Sequence, residues 1–241
     1  MSSTWLIARR ELSATLRSPL GFVVAALVLA LDGLLFNLWA LTEGDKLSAE
    51  VLYQFFFVLS GTTMVASVFI SMRLLAEEQQ TGTAALLLTS PVRDFQVVMG
   101  KFLGGFLFLA LLTLVTLYMP LMVWIVGKVS WGHVFAGYLG LLLLGAASMA
   151  IGLFGSAVAR NQIVAAFVSG ALLVALILMW KLGQEADRPL SGIFAYMALH
   201  NLHYRSFMSG RIHLRDAVYY LSVCAFFLAA ATRMLESRRW R

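Results

Sequence analysis

The sequence predicts an all-α integral membrane protein with six transmembrane helices, and three observations support this class. The chain of 241 residues is 61% hydrophobic and only 12% charged, whereas soluble domains carry about 25% charged residues. Six separate apolar runs approach the length of about 20 residues that a helix needs to cross a bilayer. The basic residues lie in short clusters beside these runs, a pattern typical of topology signals and lipid headgroup contacts. We therefore expect the lipid membrane, and no nucleic acid, among the partners.

The first predicted element is an amphipathic helix within residues 1–19, ahead of the first apolar run. Trp5, Ala8, Leu12 and Leu16 recur there at helical spacing, which predicts a helix lying at the membrane interface. The segment has neither the short apolar core nor the small-residue cleavage site of a signal peptide, so we expect it to stay in the mature protein.

The six predicted spans belong to a single membrane domain that covers residues 1–241. They lie at about 20–41, 51–72, 102–126, 134–158, 163–180 and 217–232. Between them, residues 73–101 form the longest internal loop on the side that carries both termini. Residues 181–215 form a long connection on the opposite side.

The basic residues predict the orientation. On the side of the termini they are Arg9, Arg10, Arg17, Arg73, Arg93, Lys101, Arg160, Arg233, Arg238, Arg239 and Arg241. The short loops opposite hold only Lys46 and Lys128. Because short loops rich in Lys and Arg stay in the cytoplasm, we expect both termini to be cytoplasmic. Basic residues in 181–215 argue against this orientation, but a connection of that length can be translocated despite its charge.

Two polar residues in the first span are candidates for a substrate pathway or a gate. Asp32 lies near the middle of the span, where a carboxylate that faces lipid costs several kcal/mol. We expect it to face the bundle, a water-filled path or a dimer axis. Asn37 follows five residues later and need not share that helix face. The alternative for both residues is an ordinary structural contact.

The fourth span is rich in small residues. Ser148, Gly152 and Ser156 recur every four residues and so form one ridge along a helix. Such ridges let helix backbones approach closely in lipid. We expect this ridge to pack against another helix of the same chain, with a subunit interface as the alternative.

The loop after the second span contains signals for two short helical pieces. Residues 73–80 can continue the helix out of the membrane, and Gly82 can end it in the left-handed conformation. Thr83 can then cap a second short helix over 84–88. Pro91 ends that helix because it disfavours helical geometry in the residue before it.

This second short helix is expected to display leucines on the cytoplasmic surface. Its apolar face includes Leu86 and Leu87, and an exposed apolar helix face is typical of a site that docks into a groove on a partner. A helix resting on lipid would be flanked by Lys and Arg, whereas this one follows Glu77 and Glu78.

Two histidines of the outer connection, His200 and His203, lie three residues apart. Two ligands fall short of the three or four that a metal site needs, so we expect no metal. The surrounding run 190–208 is amphipathic and aromatic. It is a candidate lid over the outer end of a pathway, a dock for an extracytoplasmic auxiliary subunit, or an interfacial anchor.

Three stretches carry a resemblance to a known family. The stretch "EEQQTGTAALLLTSPV", followed by "GKFLGGFLF", resembles the cytoplasmic coupling loop of ABC-2 type exporter permeases. The stretches "GYLGLLLLGAASMAIGLFGSAVARNQIVAAF" and "HYRSFMSGRIHLRDAVYYLSV" are similar to the gliding-motility-type branch of these permeases. The resemblance covers nearly the whole chain from about residue 4. Its third stretch includes His203, Tyr204 and Arg205, which it places on the extracytoplasmic side.

The resemblance implies a permease half in a bacterial inner membrane that pairs with a second permease chain and with a separate ATP-binding subunit. ATP and Mg would bind that subunit, since this chain lacks a phosphate-binding loop of the form G-x-x-x-x-G-K-[ST]. The residues that would contact the ATPase are Glu77, Glu78, Gly82, Thr83, Leu86, Leu87 and Pro91. The resemblance also implies export by alternating access of lipids, polysaccharides or peptides, or a role in assembling envelope machinery.

Three other functions are alternatives at this stage. They are a non-transporting structural subunit of a membrane complex, a metal-related ABC permease, and an intramembrane enzyme. An intramembrane enzyme would need paired catalytic groups at membrane depth, but Asp32 is the only acid well inside a predicted span. We therefore expect a permease subunit without enzymatic activity of its own.

Overall fold

The computed structural model describes residues 3–41, 48–83, 92–187 and 190–239, and within these ranges it contains helices and no strand. The helices of the N-terminal half are α1 (Ser3–Arg17), α2 (Pro19–Leu35) with a π-helical continuation (Phe36–Leu41), α3 (Ser48–Ser71), α4 (Ala76–Gln80), α5 (Asp94–Val115) and α6 (Tyr118–Val126). Those of the C-terminal half are α7 (Trp131–Val158), α8 (Gln162–Glu185), α9 (Leu190–Met197), α10 (Tyr204–Met208) and α11 (Leu214–Arg239).

Six helical stretches are long and apolar enough to cross a membrane, which agrees with the predicted number. They are Pro19–Leu38, Ser48–Gln80, Asp94–Ile125, Trp131–Val158, Gln162–Glu185 and Leu214–Arg238. The second stretch runs to Gln80, in line with the expected helical continuation over residues 73–80, and the third begins at Asp94, ahead of the predicted span 102–126. Polar residues at these helix ends pair with neighbours, as described below.

Local signals in the sequence account for several helix ends. Ser18 caps α2, because its hydroxyl accepts a hydrogen bond from the Gly21 amide at 3.0 Å, and Pro19 occupies the first helical position. Asn161 caps α8 in the same way, through the Val164 amide at 2.9 Å. Ser18 and Asn161 each start a new helix with an extended backbone at the cap position. The chain therefore turns between α1 and α2 and between α7 and α8.

Helix α7 lies at the centre of the bundle. Its most apolar part is 72% buried within the chain, whereas the corresponding parts of α2 and α8 are only 22% and 17% buried. It contacts α3, α5, α8 and α11. Helices α2 and α8 thus turn most of their surface away from the chain's own core.

The apolar core consists of two clusters, one at each end of the bundle. We call the end that holds α1, α4 and the last turns of α11 the proximal end, and the opposite end the distal end. The proximal cluster includes Ile70, Leu74, Val98 and Leu153, and the distal cluster is rich in aromatic residues such as Phe56. Each cluster lies directly beneath a group of buried polar residues.

The small-residue ridge of the fourth span packs against α3 of the same chain. A Cβ atom on Gly152 would lie 1.9 Å from Oγ and 2.7 Å from Cβ of Ser71, so the two helices approach as closely as a glycine permits. Ser148 and Ser156, on the same ridge, have no exposed surface. Gly152 of this ridge therefore packs against α3 of the same chain.

Candidate functional site

Polar side chains from five helices meet at the proximal end, around the start of the segment that leads to residues 84–91. We call this group the proximal network. Its members are Glu11, Ser18, Arg73, Glu77, Glu78, Gln79, Lys101, Ser156 and Arg238. They come from stretches far apart in sequence, so the fold of the whole bundle assembles the network.

Ser156 of α7 holds the junction between α3 and α4. Its hydroxyl oxygen accepts hydrogen bonds from the Leu75 and Ala76 amides at 3.0 and 2.9 Å, and its hydroxyl donates to the Met72 carbonyl at 3.0 Å. Leu75 precedes α4 and offers no side-chain cap. Because the first amides of a helix need acceptors from outside it, Ser156 acts as a cap supplied by another helix.

Lys101 of α5 joins α1 to α4. Its Nζ atom lies 2.9 Å from Oε1 of Glu78 and 3.3 Å from Oε2 of Glu11, and only 5% of its side chain is exposed. A buried ammonium is costly unless carboxylates compensate its charge. The two carboxylates explain how α5 can carry a charged residue at a buried position.

Two arginines hold α4 from its other sides. Arg73 donates to Glu77 at 3.0 Å and to the Ser18 hydroxyl at 2.9 Å, which ties the end of α3 to the start of α2. Arg238, near the end of α11, donates to the side-chain oxygen of Gln79 and, at 2.9 Å, to the backbone carbonyl of Val158. The short helix α4 is thereby connected to α2, α7 and α11.

Helix α1 lies directly on α5 because α5 offers glycines at the contact. A Cβ atom on Gly104 would lie 2.6 Å from Cβ of Glu11 and 2.9 Å from the Ala8 carbonyl oxygen, and one on Gly100 would lie 2.7 Å from Cβ of Ile7. These two glycines are four residues apart and make one shallow groove. The close approach brings Glu11 within reach of Lys101.

A cavity of about 520 Å³ opens between α1, α4 and α5 and is lined by the network. Three carboxylates, from Glu11, Glu77 and Glu78, face three cations, from Arg10, Arg73 and Lys101. No group of three His, Cys, Asp or Glu side chains suited to a metal occurs among the described residues. The arrangement is suited to fixing the position of α4 rather than to a chemical reaction.

The predicted contact residues at this end fall into two groups. Glu77 and Glu78 belong to the proximal network, while Gly82 and Thr83 follow α4 in an exposed turn. Gly82 has a φ of +74°, the left-handed conformation expected of a glycine that ends a helix. Leu86, Leu87 and Pro91, together with the expected helix over 84–88, lie outside the described residues.

Asp32 and Asn37 do not form one site. Asp32 is 2% exposed and hydrogen-bonds Thr62 of α3, while its Oδ1 atom has no hydrogen-bond partner in the described ranges. Asn37 lies in the π-helical continuation of α2 and is exposed. The carboxylate therefore faces the bundle, which is one of the orientations expected from the sequence.

A mostly apolar groove of about 470 Å³ lies beside Asp32, between α2, α3 and α8. Its α2 wall contains Val28, Leu31 and Leu35, which flank Asp32 on the same helix. Its polar lining comes from the distal connection and the facing part of α3, with His200, Asn201, Ser60 and Thr62. The groove thus reaches from the middle of the bundle toward the distal end.

The distal connection is held onto the bundle by buried polar contacts. His203 has no exposed surface; its Nδ1 lies 2.9 Å from Oδ1 of Asp216, and its Nε2 lies 3.0 Å from the Tyr196 carbonyl oxygen. The buried Tyr204 donates its hydroxyl to the Phe56 carbonyl at 3.2 Å, and burial raises the pKa of this phenol well above its ordinary value. Arg205, by contrast, is exposed.

His200 also makes structural contacts. Its Nε2 lies 2.7 Å from the Ser60 hydroxyl and its Nδ1 lies 3.2 Å from Oδ1 of Asn201. Burial lowers the pKa of His200 below the ordinary value of 6.5, and the hydrogen bond to Asn201 opposes this change. Since the ring nitrogens of His200 and His203 are engaged with protein groups, the i, i+3 spacing of these histidines reflects packing.

The sequence interpretation missed Lys101, Glu11, Gln79 and Arg238 as parts of a site. Lys101 and Arg238 were counted only as topology charges, and their carboxylate and amide partners are distant in sequence. One signal was present: Lys101 lies between Gly100 and Gly104, and small residues at i and i+4 indicate a close helix contact.

The chain that folds into these six apolar helices matches a known family. The family model described as ABC-2 family transporter protein matches residues 5–231, which is nearly the whole chain. A comparison with individual curated proteins finds no significant match. The chain therefore belongs to the ABC-2 family of transporter proteins and is a multi-pass membrane component of an ABC transporter.

Proposed function

We propose that this chain is the permease half of an export complex, in which a separate ATP-binding subunit binds ATP and Mg and drives alternating access. In this proposal residues 76–91 form the element that receives the movement of the ATPase. Two such chains, or this chain and a related one, surround the path. The similarity of residues 137–167 and 203–223 to the gliding-motility-type branch supports placing the chain there.

One observation carries the proposal: α4 is fixed from three sides before the chain enters 84–91. Ser156 caps its start, Lys101 fixes Glu78, and Arg238 fixes Gln79. A segment that only linked two spans would need none of these contacts. A segment that must transmit force to the spans needs a rigid connection to them, and here α4 is joined to α5, α7 and α11.

The proposed second permease chain covers the side formed by α2 and α8. These are the least buried spans, and the apolar groove of about 470 Å³ opens between them and α3. Pairing of two such sides would place two grooves and two Asp32 residues around a shared path. The ridge with Gly152 is already filled by α3 and does not serve this purpose.

We place the proximal end in the cytoplasm of a bacterial cell, with the inner membrane around the spans. Helix α1 supports this orientation. Its outward side combines the exposed side chains of Trp5, Leu6, Arg9 and Arg17, and such a mixture is typical of a helix lying at an anionic membrane surface. The distal connection is then extracytoplasmic and is available to an auxiliary subunit.

The test of coupling is copurification. The chain is purified in detergent from its native host and the companions are identified by mass spectrometry, with Leu87→Asp as the test variant and Leu202→Asp as the control. We expect an ATP-binding subunit with the unsubstituted chain and with Leu202→Asp, and its loss with Leu87→Asp. Full binding and full ATPase stimulation with Leu87→Asp would refute the assignment of 76–91. If no ATP-binding protein is among the copurified proteins, the result would instead favour a non-transporting structural subunit of a membrane complex.

The test of pairing uses single cysteines. In a Cys224→Ser background, Leu31→Cys on α2 is expected to cross-link two copies, because 47% of this leucine is exposed on the proposed contact side. Phe226→Cys on α11 is the control, since that residue is 67% exposed on another side. Equal cross-linking at both positions would indicate random encounters and would remove the support for pairing through α2.

A further inference from the structure

The turn between α10 and α11 presents an unusual surface. The five consecutive residues 211–215, of sequence Arg-Ile-His-Leu-Arg, are all exposed, and we call them the distal basic turn. Ile212 is 48% exposed and Leu214 is 79% exposed. Basic and apolar side chains thus alternate on a surface where neither kind is covered by the protein.

The backbone under this turn is firmly held, so the exposure is built into the fold. Gly210 has a φ of +72° and packs against the ring of His133, whose Nε2 lies 2.7 Å from the Met208 carbonyl oxygen. Ser206 accepts a hydrogen bond from the Arg211 amide at 3.0 Å and donates its hydroxyl to Asp216 at 2.7 Å. Ser206 therefore holds both ends of the turn, through Arg211 at its start and Asp216 just after its end.

The connection that leads into the distal basic turn carries no acidic residue, since the sequence contains no Asp or Glu from 188 to 215. Asp216 is fully buried, with its carboxylate bonded to His203 and Ser206. Arg215 is 63% exposed and lies 3.6 Å from Asp216. Arg205, in the preceding short helix, is also exposed.

The apolar residues of the turn continue a side of α11 that faces away from the bundle. Leu214, Val218 and Leu221 follow one another at helical spacing and are 79%, 51% and 57% exposed. Because α11 is long and apolar enough to cross a membrane, an exposed apolar stripe on it is suited to face hydrocarbon. The cations of the turn then lie where the hydrocarbon ends and the headgroups begin.

We propose that the distal basic turn binds the headgroup of an anionic phospholipid. Arg211 and Arg215 contact the phosphate, and Ile212 and Leu214 lie among the upper parts of the acyl chains. An anionic lipid is favoured over an acidic protein because the apolar residues of the turn merge with the hydrocarbon-facing stripe of α11. Arginine suits this role because its guanidinium can donate two parallel hydrogen bonds to one phosphate.

The first test measures lipid binding to the full-length chain in detergent by native mass spectrometry, with phosphatidylglycerol and with phosphatidylcholine. The double variant Arg211→Gln/Arg215→Gln is expected to bind phosphatidylglycerol about tenfold or more weakly, since each basic residue near an anionic surface contributes measurably. The control Lys128→Gln/Lys181→Gln removes two exposed distal cations outside the turn and should bind as the unsubstituted chain does. Equal binding of both lipids, or equal losses in the two variants, would refute the proposal.

The second test locates the turn relative to the bilayer. Leu214→Cys in a Cys224→Ser background is labelled with an environment-sensitive fluorophore and reconstituted into vesicles that contain spin-labelled phosphatidylglycerol or spin-labelled phosphatidylcholine. We expect quenching by both lipids and stronger quenching by phosphatidylglycerol. An unquenched label would overturn the proposal, because residue 214 would then lie away from the lipid. The proposal would also be overturned if a second copy of the chain or a cross-linked protein shields the label from the lipid. Neither test contains an ATPase, so the outcome is independent of the proposed coupling function.

Discussion

The Nζ atom of Lys101 lies 2.9 Å from Oε1 of Glu78, although the two residues are on opposite sides of the segment 84–91 in the chain. Glu11 approaches the same ammonium group from α1. One buried cation thus holds together the N-terminal helix, the short helix before the proposed ATPase contact and the start of the third span.

Replacing Lys101 with Met is expected to destabilise the protein by about 3 kcal/mol, because it leaves two partly buried carboxylates without their cation. Unfolding can be followed with a thiol-reactive dye, since Cys224 is the one cysteine of the chain and is buried. The exposed Arg9→Met is the control and should change stability little. Adding Glu78→Gln to Lys101→Met should recover part of the loss; an additive effect of the two substitutions would contradict the ion-pair interpretation.

Gly152→Ala is expected to lower the melting temperature strongly, because the new Cβ atom would overlap both side-chain atoms of Ser71 and force α3 and α7 apart. Gly170→Ala is the control, since nothing lies within 4 Å of a Cβ atom on this glycine of α8. That change should be neutral or raise stability by up to about 1 kcal/mol, the usual gain from replacing glycine in a helix. Similar effects of both substitutions would show that helix propensity, rather than packing, decides the outcome.

Ser156→Ala removes the acceptor of two amides at the start of α4, and each buried amide left unsatisfied costs about 1–3 kcal/mol. We expect faster hydrogen exchange at Leu75 and Ala76 and weaker stimulation of the partner ATPase, with the six spans intact. Ser222→Ala on α11 is the control, because that exposed hydroxyl only bonds its own helix at Val218. Unchanged exchange at residues 75–76 would mean that α4 does not depend on this cap.

Acidic pH is expected to weaken the attachment of the distal connection through His200. Burial lowers the pKa of this residue in the folded state, so below the ordinary value of 6.5 the unfolded chain binds a proton that the folded chain does not. Stability from this residue is therefore present above pH 6.5 and is lost as the pH falls further. The slope of melting temperature against pH should flatten in His200→Gln and stay unchanged in the exposed His213→Gln. An equal slope in both variants would assign the effect to other groups.

The number and order of the spans could be predicted from the sequence because lipid demands long apolar helices whatever the tertiary contacts are. The small-residue ridge was also visible, since its spacing is local. What the pattern could not show is which helix lies opposite: Gly152 fits Ser71 and Ser156 caps α4 only because α3 and α7 are neighbours in the fold. The sequence favours packing within the chain and leaves a subunit interface as the alternative.

Charged residues at helix ends were the main source of difference between prediction and structure. The apolar run predicts a third span that begins after Lys101, whereas the helix that contains it begins at Asp94. Lys101 can be buried within this helix because Glu11 and Glu78 compensate its charge, and neither partner can be identified from spacing. His203 is a similar case, since its partner Asp216 is 13 residues away and is not identified by spacing either.

Helix α11 connects the two polar groups at opposite ends of the bundle without a break. Its 26 residues span about 39 Å; Asp216 anchors its first turn to the distal connection, and Arg238 anchors its last turn to Gln79. Because this continuous helix is anchored at both ends, it keeps the two polar groups at a constant separation. Any conformational change that alters this separation must first break the contacts of Asp216 or those of Arg238.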